Sequence, residues 1–259
     1  MANPRRKHQP ITCLTTENSI SVTSLDRNNG LFYDFFLARS QPPQDNVDLA
    51  KAFLEAYLAP RLPAHQREIL VGPITDREVG GAITPLKTGK SPGPDGLTAD
   101  YYKILKAQIC PILTTMFNDI YVSGNAIDSF NASHTILIPK PGKPADNMSS
   151  YRPISLLNTD YKLLTKILAS SLQTFLPDLL IYHQLGFVHG RHSVVGIRRA
   201  VAAVLGAHSA SSGTHPTLLR LDLEQAFDSV TWSHLFRVLS RRSFGQTFTD
   251  FIRNITRYP

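Results

Sequence analysis

An acidic residue at the end of an apolar run is the first feature of this sequence that predicts chemistry. In Leu221-Asp222-Leu223-Glu224-Gln225-Ala226-Phe227-Asp228, leucines alternate with polar residues, as on a strand with one buried face. We expect a strand over residues 218–223 and a helix from about Gln225 to Arg241. A carboxylate beside helix-start amides can hold a hard cation next to a phosphate. A strand-edge carboxylate without function is the alternative, because short acidic patterns are common.

Residue spacing does not support three other kinds of catalytic site. Gly89-Lys90-Ser91 ends like a phosphate-binding Walker loop, but Thr84 stands where that motif needs its first glycine. The nine histidines form neither His-Glu-x-x-His nor a Cys/His ligand set. No Gly-x-Ser-x-Gly sequence is present, so an α/β-hydrolase nucleophile is not predicted.

The positive charge is concentrated in the C-terminal part of the chain. Of the net charge of +7 over 259 residues, nearly all lies in residues 151–259, which hold 12 Lys+Arg against 6 Asp+Glu. Residues 1–150 hold 15 against 14. Guanidinium groups fork onto phosphates, so a local arginine excess indicates a polyanionic partner. A solvated basic face is the alternative.

Composition excludes several classes of protein. Hydrophobic residues make up 42% and charged residues 18%, which is typical of a globular chain. No uninterrupted apolar run approaches the roughly 18 residues of a membrane span, so no membrane role is expected. The basic N-terminus lacks the apolar stretch of a secretory signal. The two cysteines, Cys13 and Cys110, suit a reducing compartment inside the cell, in the nucleus or the cytoplasm.

The elements that would position these residues alternate between helices and short strands. An α+β fold with a small, largely antiparallel sheet is therefore predicted. Residues 1–46 look weakly structured, with Gln41-Pro42-Pro43-Gln44 as a linker, and residues 47–96 read as a helical region with a capped helix start at Thr75. Periodicity and turn residues predict helices over 98–122, 159–176 and 194–207, and a hairpin of strands 135–138 and 152–157.

Five spaced motifs add a more specific interpretation. They are Lys90-Ser91-Pro92-Gly93-Pro94-Asp95-Gly96, Ile136-Leu137-Ile138-Pro139-Lys140-Pro141-Gly142-Lys143, Tyr151-Arg152-Pro153-Ile154-Ser155-Leu156-Leu157, Gly186-Phe187-Val188-His189-Gly190-Arg191 and the Asp222 segment. In this order the chain resembles the reverse transcriptase of LINE-type, non-LTR retrotransposons from about Ile74 to Arg241. Such proteins copy RNA into DNA with a right-hand polymerase.

The resemblance implies a partial right-hand polymerase, with helical and β-hairpin fingers and an incomplete palm sheet. In this division residues 1–46 are an N-terminal segment and linker, and residues 47–96 are a helical region leading into the polymerase. Residues 97–217 are fingers-like, and residues 218–259 are the start of the palm.

The resemblance also implies a role for particular residues. Asp222 corresponds to the first catalytic, metal-binding aspartate, with the carbonyl of Leu223 as a companion ligand. Phe227 corresponds to the bulky residue that excludes a ribose 2′-hydroxyl, and the amides of Gln225 and Ala226 would lie against the triphosphate. Two sets of cations also have implied roles. Lys140 and Arg152 would contact the nucleotide or its template. Nucleic acid would be bound by Arg191, Arg198 and Arg199. There are two alternatives without function. Phe227 would be an ordinary core residue, and Lys140 and Arg152 would be ordinary surface charges of the hairpin.

The sequence departs from the family at the metal site. Two-metal phosphoryl transfer needs carboxylates on both sides of the metal pair, and the family supplies the rest from an aromatic-x-Asp-Asp loop. This chain contains no two adjacent acidic residues. Mg²⁺ or Mn²⁺ is therefore expected only in a complete polymerase, with the thumb also present.

Three hypotheses follow. The leading one is a truncated reverse-transcriptase segment of a LINE-like retrotransposon, inactive alone, whose partners would be an RNA template, an RNA–DNA duplex and deoxynucleotides. The second is a basic RNA- or DNA-binding module without catalysis. The third is a fragment without function, because an incomplete palm sheet leaves strand edges and apolar helix faces uncovered.

Overall fold

The computed structural model describes residues 11, 13–15, 21–40, 46–56, 60–209, 219–223, 226–227 and 229–256. Over these residues the chain is α+β, which confirms the predicted class. Two antiparallel strand pairs are present: β1 (Leu14–Thr15) with β2 (Ser21–Val22), and β3 (Ser133–Pro139) with β4 (Tyr151–Leu157). The helices are α1 (Leu25–Ser40), α2 (Val47–Ala56), α3 (Ala64–Leu70), α4 (Asp76–Ile83), α5 (Ala99–Ile104), α6 (Lys106–Ser123), α7 (Thr159–Gln173), α8 (Leu176–Leu179), α9 (Ser193–Ser209), α10 (Trp232–Arg241) and α11 (Gln246–Ile255).

The main core lies between helices. Its fully buried side chains come mostly from α4, α6, α7 and α11, whose apolar residues recur at helical spacing. Those from the four helices are Val79, Ile83, Phe117, Leu163, Leu164 and Phe248, and Phe130, before β3, is buried with them. Within the described part of the chain, no helix is both long and apolar enough for a membrane span.

The start of α4 confirms the cap predicted at Thr75. The Thr75 hydroxyl accepts a hydrogen bond from the Glu78 amide at 3.3 Å, and the Glu78 carboxylate accepts one from the Thr75 amide at 2.9 Å. This reciprocal pair satisfies two amides that the first helical turn leaves without partners. The helix then continues through Gly80 and Gly81, because Gly80 is buried against α6.

The predicted hairpin is present. Strand β3 pairs with β4 in a register that places Ile136 opposite Ile154 and Ile138 opposite Arg152. The Lys140 amide extends the ladder by donating to the Ser150 carbonyl at 2.7 Å. Gly142 follows at a φ of 71°, a left-handed conformation that favours glycine. Alternating runs around a Pro-Gly turn were thus sufficient to predict this element.

Two helix predictions needed correction in length. The helix predicted over 98–122 is two helices, because the backbone leaves the helical region at Leu105, with φ −94° and ψ 22°. The helix predicted over 159–176 ends at Gln173, and Leu176 begins the short helix α8. The prediction for 194–207 is confirmed by α9.

The prediction of weak structure in residues 1–46 is wrong for residues 25–40, which form α1. The aromatic run over 31–37 lies in this helix, and Phe32 is buried in a second, smaller core with Leu14 and Tyr151. The Phe32 and Tyr151 rings meet edge to face, with centroids 5.1 Å apart. This contact with β4 supplies stability that the Asn- and Ser-rich sequence does not indicate locally. The predicted linker at residues 41–44 lies outside the described residues.

The N-terminal segment also binds the loop between β3 and β4. The Thr15 amide donates to the Asp146 carbonyl at 2.8 Å, and the Thr15 hydroxyl donates to the Asp146 carboxylate at 3.1 Å. Leu137 packs against the same small core. Residues 14–15 and 31–36 therefore cover one face of the hairpin around Leu137 and Tyr151 and leave the other face open.

Phe32→Ala should lower the free energy of unfolding by about 3 kcal/mol, the lower end for a phenylalanine truncated in a core. Amide exchange over residues 140–151 should become faster, because the hairpin loses its support. Tyr33→Ala is the matched control, since Tyr33 lies on the same helix and is 68% exposed. Urea unfolding and hydrogen exchange measure both effects. Equal results for the two variants would contradict the packing.

Candidate nucleic-acid interface

The open face of the hairpin carries Arg152. Side chains directly opposite one another in an antiparallel pair share a face, so Arg152 lies beside Ile138, with Ile136 and Ile154 one pair further along. All four side chains are exposed. The hairpin therefore presents a cation on an apolar surface, an arrangement suited to a phosphate next to a base or sugar.

Lys140 has a different environment. Its ammonium donates to the Ser149 carbonyl at 2.8 Å, and the residue is only partly exposed. The side chain thus ties the two ends of the hairpin loop together. Its predicted contact with nucleotide or template stays a prediction.

Arg191 holds the loop that carries its own motif. Its two terminal nitrogens donate four hydrogen bonds of 2.6–3.0 Å to backbone carbonyls. The acceptors are Pro177, Leu180, Ile181 and Gln184. A guanidinium has five donors, so most of its capacity is used inside the protein. Arg191 therefore has a structural role, and its binding to nucleic acid stays a prediction.

Arg198 and Arg199 lie on α9, whose described side chains are mostly exposed. Arg198 is exposed. The Arg199 guanidinium lies over the Tyr182 ring at 4.6 Å and also donates to the Tyr182 carbonyl at 3.3 Å. Cation–π packing of this kind leaves the outer guanidinium edge accessible. The structure thus places both cations on one helix next to the Arg191 loop.

The Asp222 segment differs from its prediction. Residues 219–223 have no regular secondary structure, so the strand predicted over 218–223 is wrong for them, and Leu218 is outside the described residues. The physical reason is that neither strand pair in the described part of the chain includes this segment, and an unpaired strand leaves its peptide groups without partners. Asp222 and Leu223 are exposed.

The helix predicted to begin at Gln225 begins instead at Trp232. The Thr231 hydroxyl caps it by accepting from the His234 amide at 3.2 Å. Ala226 and Phe227 lie in a turn, so the Ala226 amide is not at a helix start. Gln225, like Glu224 and Asp228, lies outside the described residues. Phe227 is 78% exposed, which excludes the alternative that it is plain core.

The described residues do not assemble a metal site around Asp222. No group of three His, Cys, Asp or Glu side chains in this part of the chain is arranged to hold an ion. Hard divalent cations prefer several oxygen ligands, and one exposed carboxylate with a neighbouring carbonyl is too few. The described residues therefore do not fit the expected Mg²⁺ or Mn²⁺ pair.

Two motifs that are distant in sequence meet through aromatic rings. The Phe187 and Phe227 rings have centroids 6.0 Å apart and an interplanar angle of 78°. This is an edge-to-face contact within the usual range for aromatic pairs. The structure thus brings the Gly186–Arg191 motif to the Asp222 segment.

Asn158, which sequence reasoning missed, holds the first motif in place. The residue is buried; its amide oxygen accepts from the Asp95 amide at 3.2 Å, and its amide nitrogen donates to the Ser129 carbonyl at 3.1 Å. A Cβ at Gly93 would overlap Asn158, so only glycine allows this approach. An asparagine before a predicted helix would have indicated a cap, but no such cap bond is made.

Two ionisable groups near this loop have altered acidity. Burial raises the pKa of the Asp160 carboxyl, and the nearby Asp95 charge raises it further. Burial likewise raises the pKa of the Tyr102 hydroxyl, with added contributions from Asp160 and Asp95. The Asp95 contribution to both pKa values reflects the position of the 91–96 loop beside the start of α7.

Comparison with known proteins decides the family. Residues 138–258 match the family described as reverse transcriptase (RNA-dependent DNA polymerase). This part of the chain belongs to the reverse transcriptases. The match contains four of the five motifs, from Ile138 within the second to the Asp222 segment.

The relatives are proteins of non-LTR retrotransposons, which confirms the resemblance. The chain is 27% identical over 249 residues, 95% of its length, to a 149 kDa protein of transposon TX1 from Xenopus laevis, of which it covers 18%. It is 30% identical over 201 residues, 77% of its length, to a probable RNA-directed DNA polymerase from transposon BS of Drosophila melanogaster, of which it covers 21%. It is 29% identical over 167 residues, 64% of its length, to the RNA-directed DNA polymerase from mobile element jockey of Drosophila funebris, of which it covers 18%. The chain therefore spans about a fifth of the length of these relatives.

Arg191→Gln should destabilise this reverse-transcriptase segment by about 2–3 kcal/mol, because charged donors contribute strongly and the loop carbonyls lose their partners. Chymotrypsin, which cuts after aromatic residues such as Tyr182 and Phe187, should then cut the 180–192 loop faster. Arg198→Gln, an equal loss of charge on exposed α9, should leave stability and cleavage unchanged. Thermal unfolding and limited proteolysis give the comparison. If Arg191→Gln behaves like Arg198→Gln, the loop is not held as described.

Proposed function

We propose that the chain provides the template- and nucleotide-binding part of an RNA-directed DNA polymerase of a non-LTR retrotransposon. Residues 97–217 serve as fingers and residues 218–259 as the start of the palm, with residues 47–96 leading into them. The observation that carries the proposal is the reverse-transcriptase match over residues 138–258, since this region contains the exposed Arg152 and most of the arginine excess.

The proposed partners are an RNA template and an RNA–DNA duplex. Phosphate contacts need positive charge on an accessible surface, and Arg152, Arg198 and Arg199 supply it. The apolar neighbours of Arg152 suit the sugar and base edges next to a contacted phosphate. Arg191 supports the loop that presents α9 and makes no primary phosphate contact in this role.

Deoxynucleoside triphosphates are the proposed small-molecule substrate. Arg152 suits the triphosphate by its fork geometry. The exposed ring of Phe227 is available to lie beneath the incoming sugar and exclude a ribose 2′-hydroxyl by sterics. Lys140 contributes by fixing the hairpin loop next to Arg152.

Phosphoryl transfer needs more carboxylates than Asp222. Two metal ions must be held between the primer hydroxyl and the leaving pyrophosphate, which one carboxylate does not achieve. The sequence has no adjacent acidic pair to supply the others. The proposed role of this chain is therefore to bind and orient, and the chemistry requires further carboxylates.

The purified 1–259 chain should not extend a primer on an RNA template with deoxynucleotides and Mg²⁺ or Mn²⁺, because the metal site is incomplete. Gel analysis of end-labelled primer measures this, with a full-length retrotransposon reverse transcriptase as positive control. Extension that persists in Asp222→Ala would reveal a contaminating enzyme. Extension that disappears in Asp222→Ala would show that the chain completes its metal site by itself.

RNA binding should occur without this chemistry and should weaken steeply as salt rises, with little preference among base sequences. Arg152→Gln, Arg198→Gln and Arg199→Gln combined should weaken binding and flatten the salt slope by about one unit for each phosphate that is no longer neutralised. Asp222→Ala should bind equally well or slightly more tightly, because it removes a negative charge. Fluorescence anisotropy on monomeric protein measures these affinities.

The matched control removes three exposed arginines from the nearly neutral N-terminal part. Arg27→Gln, Arg61→Gln and Arg77→Gln combined make the same change in net charge, and all three side chains are exposed. This variant should bind RNA nearly as well as the unmodified chain. Affinity that is independent of salt, or equal weakening in both triple variants, would contradict a localised nucleic-acid interface.

A further inference from the structure

Phe187 has a backbone conformation that phenylalanine rarely adopts. Its φ is 61°, in the left-handed region where a Cβ is crowded by the neighbouring carbonyl. Its side chain is 81% exposed, so burial in a core does not offset this strain. Glycine would adopt the same conformation without strain, as Gly190 does at a φ of 75°. The chain thus has an exposed aromatic ring at a position that glycine would occupy without strain.

The strained conformation is held by side chains outside the 186–190 turn. The Gln173 amide nitrogen donates to the Phe187 carbonyl at 2.6 Å, and its amide oxygen accepts from the His189 amide at 2.8 Å. Arg191 binds the preceding stretch of loop through its four hydrogen bonds to carbonyls. Strain of this kind persists only where the surroundings impose it, and it concentrates at functional sites.

The ring of Phe187 meets Phe227. Their rings make an edge-to-face contact, with centroids 6.0 Å apart. This contact joins the 186–190 turn, which is held by hydrogen bonds, to the Asp222 segment, which has no regular secondary structure. Residues 219–223 have no regular structure, and helix α10 begins only at Trp232. The ring of Phe187, whose backbone is held by Gln173, thus lies next to the ring of Phe227.

We propose that Phe187 is a positioning residue that orients Phe227 for the selection of deoxynucleotides over ribonucleotides. The selectivity rests on the proposed function, in which Phe227 lies beneath the incoming sugar. Steric exclusion of a hydroxyl needs a ring whose rotation is restricted, and contact with a second ring on a held backbone restricts the rotation of Phe227. Phe187 supplies this restraint without touching the nucleotide.

The contact is tested by NMR on the 1–259 chain with isotope-labelled phenylalanine rings. The Phe227 signal is the one that disappears in Phe227→Leu. In the unmodified chain it should show a nuclear Overhauser effect to Phe187 and a ring-current shift. Phe187→Asn keeps a residue that tolerates the left-handed region but removes the ring, so the Phe227 signal should move to the position of a solvent-exposed phenylalanine. Phe187→Tyr should restore the shift. The His189 amide signal should be unchanged in both variants, showing that the Gln173 hydrogen bonds survive.

Selectivity is tested by competition between dGTP and GTP for binding to the same variants with Mn²⁺. The unmodified chain and Phe187→Tyr should prefer dGTP. In Phe187→Asn this preference should fall by about two- to tenfold, the worth of an aromatic pair, while affinity for dGTP changes less. Nucleotide binding with an unchanged preference in Phe187→Asn would overturn the positioning role.

The two measurements separate failure of this inference from failure of the proposed function. A Phe227 signal that is the same in Phe187→Asn and in the unmodified chain overturns the contact, whatever the nucleotide result. An intact contact in a chain that binds neither nucleotide overturns the nucleotide-binding function, and with it the selective role assigned to Phe187.

Discussion

Helix α7 is the element on which the arrangement of the motifs depends. One side of it is buried in the main core through Leu163, Leu164 and Ile167. Both of its ends bind loops that have no regular structure. Asn158, just before its first residue, binds the 91–96 loop, and Gln173, its last residue, binds the 187–189 turn. Because irregular backbone needs partners for its peptide groups, these two amide side chains decide where the motif loops lie.

The arginines of the C-terminal part divide into two roles. Arg191 directs its guanidinium to carbonyls of α8 and of the loop that follows it, where it acts as a planar multiple donor. Arg152 and Arg198 are exposed, and Arg199 packs on Tyr182. Charge alone does not distinguish these cases, since all four contribute equally to the net excess. The distinction follows from which peptide groups each side chain reaches, and it leaves Arg152, Arg198 and Arg199 for the proposed polyanion.

The hairpin and the Asp222 segment differ in whether their backbone has strand partners. The hairpin has a full ladder of cross-strand partners and is supported from behind by α1. The Asp222 segment has no strand partner among the described residues, and its leucines are exposed. Leu219, Leu221 and Leu223 alternate with polar residues, as residues of a strand do. A segment with this pattern forms a strand only when a neighbouring strand pairs with it. Its contact with the rest of the motifs is made by Phe227 through Phe187.

The sequence alone determined the elements that depend on local interactions. The hairpin, the capped start of α4 and the apolar face of α7 were predicted, because turn residues, caps and periodicity act over a few residues. The family was predicted separately, from the resemblance of five spaced motifs. Tertiary structure decided what depends on partners distant in the chain. The strand predicted over 218–223 needs a neighbouring strand to satisfy its peptide groups. Helix α1 needs Tyr151 to bury Phe32. Arg191 donates to four carbonyls that no spacing rule indicates. Local pattern thus specifies which segments can form, and long-range contacts decide which of them do and which side chains remain for binding.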